Sequence, residues 1–150
     1  MVRKELVFAK ESLKSRDEVF NFIADAADKA GLLNDKKEYI AALYRREEEI
    51  STSIGHGIAI PHGKTDAVKE AFIAFVSVDK TFVWDESTGD EIEGIFMIGV
   101  PASGTETLHL KAIAAISKKL INDEFRAKLF GCKTGDEAYS LLHEIDEGIK

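Results

Sequence analysis

Two apolar stretches decide the fold: AFIAFVSV at residues 71–78 and IEGIFMIGV at residues 92–100. Both are short, rich in β-branched and aromatic residues, and mostly apolar at odd and even positions alike. Such runs are typical of interior strands whose two faces are covered by helices. Between them, TFVWD at 81–85 predicts a shorter strand, and ESTGDE at 86–91 predicts a turn.

Two amphipathic helices are predicted before these strands. The first covers residues 15–31, where Ser15 and Glu18 have the spacing of a capping box and Gly31 is a C-terminal stop. The second covers residues 36–49. The residues predicted to face the core are Val19, Ile23, Ala26, Ala27 and Ala30 in the first helix and Ile40, Leu43 and Tyr44 in the second.

Three more helical patterns follow the strands, over residues 105–121, 123–130 and 134–145. Their N-cap candidates are Ser103 or Thr105 for the first and Thr134 for the third. Helices, then strands, then helices in one chain predict an α/β fold. We expect a single-domain sandwich over residues 1–150, with a mixed β-sheet flanked by helices.

Composition excludes several classes of protein. The 150 residues are 45% hydrophobic and 31% charged, which fits one soluble globular domain with a substantial core. A formal net charge of −7 and the lack of a Lys/Arg stripe argue against nucleic acid as a partner. The single cysteine, Cys132, excludes an intramolecular disulfide. The N-terminus has no apolar run of signal-peptide length and no segment approaches a membrane span, so a cytoplasmic location is expected.

The stretch SIGHGIAIPHGKT at residues 53–65 holds three glycines, two histidines and one of two prolines. GIAI predicts a short strand with Ile58 and Ile60 on one side, which Pro61 must end or place at an edge. His62 then lies where the strand exits to a loop, a common place for functional side chains. The glycines allow positive φ angles, close approach to a ligand, or an anion-binding nest. On histidine statistics alone, His62 caps a backbone carbonyl in a turn.

Two other residues are candidates for the same site. His109 shares a helix face with Ile113 and Ile116 and lies in the first turn, where the helix dipole favours an anion. A core histidine with a hydrogen-bond partner explains it equally well. Arg46 ends the second helix, where the default interpretation is a solvated arginine paired with a neighbouring glutamate. No P-loop, dinucleotide-binding or serine-hydrolase motif is present.

The stretch STSIGHGIAIPHGKT at 51–65 resembles the active-site signature of the enzyme IIA domains of the bacterial sugar phosphotransferase system. The match is to the fructose/mannitol class, which includes the nitrogen-related regulators. The family pattern is approximately S-T-x-I-G-x-G-I-A-[IV]-P-H-G-K, and this sequence departs from the family at His56, where asparagine is more common. Outside the stretch the resemblance extends to Arg46, to the Trp84–Asp85 pair, and to the helix-opening pair His109–Leu110, so it covers nearly the whole chain.

This resemblance implies a phosphotransferase that works through a phosphohistidine. His62 is the implied phosphoryl acceptor, by analogy through Nε2 with Nδ1–H held by a backbone carbonyl, and His109 and Arg46 are implied to contact the phosphate. The implied phosphate-binding residues are Thr52, Gly55, Gly57 and Gly63. The implied donor is the phosphocarrier HPr or a similar carrier, and the implied acceptor is a IIB domain, through which the protein docks on a membrane IIBC complex. No cofactor or metal is expected.

Two other functions stay open at this point. A nitrogen-related regulator would use the same phosphohistidine as a switch for partner proteins. A zinc hydrolase would use His56, His62 and His109, but no carboxylate or cysteine stands at the usual ligand spacing. The sugar is not encoded here, because by the same resemblance IIA domains do not contact it.

Overall fold

The computed structural model describes residues 1–103 and 107–149. In this part of the chain the strands are β1 (Val2–Glu11), β2 (Ser53–Gly55), β3 (Ile58–Ala59), β4 (His62–Lys64), β5 (Phe72–Asp85) and β6 (Asp90–Val100). The helices are α1 (Arg16–Lys29), α2 (Lys36–Glu49), α3 (Leu108–Leu120), α4 (Asp123–Gly131) and α5 (Gly135–Leu142), followed by a 3-10 helix, His143–Gly148.

The strands form one mixed sheet in the order β1-β5-β6-β3-β2, with β4 also paired to β6. β1 is parallel to β5, β5 is antiparallel to β6, and β3 and β4 both run parallel to β6. α1 and α2 cover one face of the sheet, and α3, α4 and α5 cover the other. The predicted α/β sandwich with a mixed sheet is therefore confirmed.

Side chains of β5 and β6 enter both hydrophobic clusters, as their apolar patterns predict. Phe72 and Met97 pack in the cluster under α1 and α2, whereas Phe75 and Phe96 pack in the cluster under α3 to α5. TFVWD is not a separate strand, since β5 continues through it to Asp85 with a register shift. β1 is an addition that the sequence analysis did not assign; its pairing with β5 is a long-range contact.

The helix ends follow local capping chemistry. The Ser15 and Thr134 side chains accept hydrogen bonds from the backbone N–H groups of Glu18 and Glu137, as predicted. α3 begins later than predicted, with Thr107 at the N-cap and no side-chain capping bond. Ser103 does not cap it, because the Ser103 hydroxyl donates to Asp66. The other candidate, Thr105, lies outside the described residues.

Pro61 divides the segment beside β6 into two short strands. Ile58 and Ala59 pair with Gly94 and Ile95, and pairing resumes when His62 meets Ile98. Proline has no N–H to offer a ladder, so the break falls at residue 61. His62 therefore opens β4, whereas the sequence analysis expected a loop. This break places His62 near the C-terminal end of β6, the end from which the chain continues toward α3.

Candidate active site

His62, Arg46 and His109 come from three elements and meet at one cavity. Arg46 lies in the last turn of α2, His109 is the second residue of α3, and His62 begins β4. The cavity has a volume of about 330 Å³. Its lining residues are Ala42, Arg45, Arg46, Glu49, His62, Lys64 and His109.

The two ring nitrogens of His62 have different partners. Arg46 Nε lies 3.2 Å from His62 Nε2, and His62 Nδ1 lies 3.1 Å from the carbonyl oxygen of Ile60. An arginine Nε–H can only donate, so Nε2 must accept. The proton of the neutral imidazole is then on Nδ1, where it is donated to the Ile60 carbonyl. The structure thus fixes one tautomer, with the Nε2 lone pair directed toward Arg46.

Burial lowers the pKa of His62 below its usual value near 6.5, and the charge of Arg46 and the proximity of His109 lower it further. The hydrogen bond to Ile60 and the charge of Glu47 act in the opposite direction. The net effect keeps the His62 imidazole neutral at pH 7. A neutral imidazole with a localised lone pair is a competent nucleophile.

His109 faces the same space. Its ring centroid lies 5.8 Å from that of His62, with 30° between the ring planes. Its Nδ1 is buried and has no hydrogen-bond partner among the described residues. Burial lowers the pKa of His109, and the charges of Lys64 and Arg46 lower it further. His109 therefore presents a neutral ring to a cavity in which cationic side chains outnumber carboxylates.

Arg46 is held by contacts other than the expected ion pair. Its Nη1 donates to the Ile50 carbonyl at 2.9 Å, beyond the end of α2. The neighbouring Arg45 pairs with Glu38 at 3.0 Å. Anchoring through Nη1 aims Nε at His62, so the guanidinium takes part in the site and is not only a solvated helix end.

The structure does not bring three of the predicted phosphate-binding residues to the cavity. Gly55 and Gly57 have positive φ angles of 86° and 76°, which the tight turn between β2 and β3 requires. This turn lies beside Gly94 of β6, whereas His62 pairs with Ile98 of the same strand. Gly94 and Ile98 are four residues apart, which is about 13 Å along a strand. Thr52 is buried, and its hydroxyl donates to Glu47. None of the three lines the cavity in this structure, and their role in phosphate binding stays a prediction.

Gly63 is next to His62, but a Cβ at residue 63 would point into the core. A Cβ there would lie 3.0 Å from Cε1 of the buried Tyr39 ring, so a larger residue would force Tyr39 or β4 to shift by a few tenths of an ångström. His56 has a φ of 57°, a conformation that asparagine adopts more readily than most residues. The departure from the family pattern therefore concerns the β2–β3 turn and not the cavity. The position of His56 in this turn also keeps it apart from His62 and His109, which line the cavity.

Sequence reasoning gave no role to two residues near His62. Lys64 lines the cavity from the last position of β4. Glu47 is buried behind Arg46, with a side chain only 2% exposed. Glu47 could have been found, because it continues the buried face of Tyr39 and Leu43 at helical spacing and is the only charged residue on it. In the described residues no three His, Cys, Asp or Glu side chains group as a metal site.

Residues 1–145 match the model of the family described as "Phosphoenolpyruvate-dependent sugar phosphotransferase system, EIIA 2". The chain is 34% identical over 143 residues to the "PTS system fructose-specific EIIA component" of Haloferax volcanii, covering 95% of this chain and 92% of that protein. It is 33% identical to the "PTS system fructose-specific EIIABC component" of Bacillus subtilis over 89% of this chain, but spans only 21% of that longer protein. The chain belongs to the EIIA 2 family, whose members are phosphotransferases.

Solved structures share the fold. The nitrogen regulatory protein IIA-Ntr from Neisseria meningitidis superposes with a TM-score of 0.81 at 24% identity, covering 94% of this chain and 95% of that one. The IIA component in a complex of mannitol IIA with phosphorylated IIB from Escherichia coli superposes with a TM-score of 0.79 at 20% identity, covering 95% and 99%. In the described residues no helix is both long and apolar enough to cross a membrane.

Proposed function

We propose that this protein is a phosphocarrier of the sugar phosphotransferase system. His62 accepts a phosphoryl group from the phosphohistidine of an HPr-like carrier and passes it to a IIB domain. The observation that carries the proposal is the fixed tautomer of His62. Its Nδ1–H donates to Ile60 and its Nε2 lone pair lies at a cavity lined with cations.

The transfer exchanges one N–P bond for another. Nε2 of His62 forms a bond to phosphorus while the N–P bond of the donor breaks, and the donor nitrogen keeps the electron pair. The proton on Nδ1 stays in place, held by the Ile60 carbonyl as the ring gains positive character. No proton, metal or nucleotide is consumed, so the catalytic task is to position the groups and to balance the charge on the phosphoryl oxygens.

The cavity residues supply that charge balance. The Arg46 guanidinium covers Nε2 at 3.2 Å, so it must turn from the ring toward the phosphoryl oxygens as the group arrives. An arginine offers several N–H donors in a plane, which suits this exchange of partners. His109 and Lys64 also line the cavity and supply a neutral and a charged donor.

The printed names of the relatives support the partners and the sugar branch. The EIIABC relative joins a IIA part to B and C parts in one protein, and the mannitol IIA structure is a complex with phosphorylated IIB. The relatives at 34% and 33% identity are both named as fructose-specific components. The likeness to IIA-Ntr is below 25% identity and concerns the fold, so these comparisons do not favour the regulatory alternative.

The test is intact-mass measurement after incubation with enzyme I, HPr and phosphoenolpyruvate. Wild-type protein should gain one phosphoryl group that is lost in acid, and His62→Ala should gain none. His143→Ala is the matched control, because His143 is exposed and lies in the 3-10 helix away from the cavity. Continued labelling of His62→Ala, or a wild type that takes no phosphoryl group, would refute the proposal.

A further inference from the structure

Glu47 is a buried carboxylate that the transfer chemistry does not use. Its side chain is 2% exposed, and it lies one residue after Arg46 on the core-facing side of α2. Burying a carboxylate costs free energy unless hydrogen bonds and charge compensate it. Its presence in an otherwise apolar helix face therefore needs an explanation.

Donors from two other parts of the chain converge on this carboxylate. Oε2 accepts the backbone N–H of Thr52 at 2.9 Å and the indole N–H of Trp84 at 3.3 Å. Oε1 accepts the Thr52 hydroxyl. Arg16 balances the charge, with Nη1 4.0 Å from Glu47 and 3.7 Å from Asp85. Glu47 thus ties the end of α2 to the start of the segment that carries His62.

The same segment leads directly to the His62 ring. The carbonyl of Thr52 accepts the N–H of Ile60 at 3.0 Å, and the carbonyl of Ile60 accepts Nδ1–H of His62 at 3.1 Å. Pro61 has no N–H for the ladder, although its carbonyl accepts the Ile98 N–H at 3.0 Å. The Ile60 carbonyl is therefore oriented between two anchors, the bond of Ile60 to Thr52 and the bond of Pro61 to β6. We propose that Glu47 is a positioning residue. Through Thr52 and Ile60 it holds the His62 ring in the orientation in which the Ile60 carbonyl accepts Nδ1–H and Nε2 can accept the bond from Arg46.

The effect of Glu47 on the His62 ring does not depend on the proposed function. Only its expected effect on the rate of phosphoryl transfer rests on that function. If the Ile60 carbonyl moves, the His62 ring can rotate or exchange its tautomer, and Nε2 is no longer the single nucleophile. Arg46, His109 and Glu47 act electrostatically on the ring, and Lys64 lines the same cavity. Of these four, Glu47 is the residue that accepts hydrogen bonds from Thr52.

Three variants and one control separate positioning from simple packing. Glu47→Gln keeps the bonds: its Oε1 can accept both N–H groups that reach Oε2, and its amide can donate to the Thr52 hydroxyl. Glu47→Ala removes them all, and Thr52→Val removes only the hydroxyl bond. The control is Ser77→Ala, since Ser77 is also fully buried and accepts the Lys10 N–H at 2.9 Å, remote from His62.

The first measurement is the ¹⁵N spectrum of the His62 ring in the isolated protein, without any phosphodonor. We expect one Nδ1–H tautomer in the wild type, in Glu47→Gln and in Ser77→Ala, and a mixture of tautomers in Glu47→Ala. A folded Glu47→Ala with a wild-type ring spectrum would overturn the inference. If Glu47→Ala does not fold, Thr52→Val decides in its place: a partial mixture supports the inference, and an unchanged ring spectrum overturns it.

The second measurement is the rate of phosphorylation in the carrier-dependent assay. Glu47→Ala should lose about 10- to 100-fold, because a displacement of about 1 Å at a reactive group costs up to about 100-fold in rate. Thr52→Val should lose less, about fivefold, because it removes one hydrogen bond to the Glu47 carboxylate and keeps those from the Thr52 and Trp84 N–H groups. Glu47→Gln should stay within about threefold of wild type. If the wild type takes no phosphoryl group, the proposed function is refuted, but the ring spectra still test the positioning role. Full activity in a folded Glu47→Ala protein would overturn only the positioning role.

Discussion

Replacing Gly63 by alanine tests whether the close approach of β4 to α2 sets the geometry of the site. A Cβ at this position would lie 3.0 and 3.2 Å from two atoms of the Tyr39 ring and 3.5 Å from Cβ of Ala42. Tyr39 cannot move aside easily. It is fully buried, its hydroxyl donates to the Ile98 carbonyl at 3.0 Å, and its ring packs edge-on against Phe72.

The size of the effect follows from these distances. Non-bonded carbon atoms prefer about 3.5–4.0 Å, so β4 and α2 must separate by about 0.5 Å. Overpacking of this kind costs about 1–3 kcal/mol, which lowers Tm by about 2–12 °C in a domain of this size. If the separation passes to the cavity, the bond from Arg46 to His62 lengthens from 3.2 Å to about 3.7 Å, too long for a hydrogen bond. Phosphoryl transfer should then slow by about tenfold.

Urea unfolding, followed by the fluorescence of Trp84, the only tryptophan, measures the change in the free energy of unfolding. Gly131→Ala is the matched control, because outside its own helix no described residue lies within 4 Å of a Cβ there, at the end of α4. It should be stabilised by about 0.4–1 kcal/mol. A Gly63→Ala protein as stable as wild type would refute the packing argument. A destabilised protein that keeps the full transfer rate would refute the coupling between packing and site.

Three further predictions concern the histidines. His109→Ala should slow phosphorylation by about 10- to 100-fold with little loss of stability, because its Nδ1 bonds to no described residue; equal rates would remove it from the site. The free energy of unfolding should fall as the pH drops below about 6.5, since unfolded His62 then takes up a proton that burial disfavours in the folded state, where its pKa is lowered. His62→Gln should weaken that dependence, and identical urea midpoints against pH in both proteins would contradict it. His56→Asn should leave the phosphorylation rate unchanged and preserve or slightly raise Tm, since the turn lies far from His62; a slower rate would place the turn in the site.

Features that depend on neighbouring residues could be read from the sequence. The capping boxes at Ser15 and Thr134 marked true helix starts, and the period of apolar residues located α1, α2 and the interior strands. These signals are local, because capping and amphipathicity are decided within a few residues. β1 and the continuation of β5 through residues 81–85 depend on pairing between distant strands, which no local pattern specifies.

The glycine-rich stretch at residues 53–65 also shows that a local pattern does not reveal contacts with distant residues. The pattern predicted positive φ angles, which Gly55 and Gly57 have, but it did not say what those angles serve. They turn the chain between β2 and β3, whereas the requirement at Gly63 comes from Tyr39, a residue on another element. Likewise, the role of Glu47 is set by Thr52 and Trp84, contacts that appear only once the sheet and α2 are assembled.

The positive charges of Arg46 and Lys64 suit both the unphosphorylated and the phosphorylated protein, the two states that the proposed function requires. In the unphosphorylated protein, the charge of Arg46 acts with burial to lower the pKa of His62, and Arg46 and Lys64 do the same for His109, so both rings stay neutral and the Nε2 lone pair is available. After the proposed transfer, Arg46 and Lys64 would lie near a phosphoryl group with negative oxygens, where their charges are attractive. Arg46, which opposes a proton on His62, would therefore favour a phosphoryl group in the same place. Because the cations are held by the fold in advance, this preference needs no large rearrangement beyond the turn of Arg46 away from Nε2.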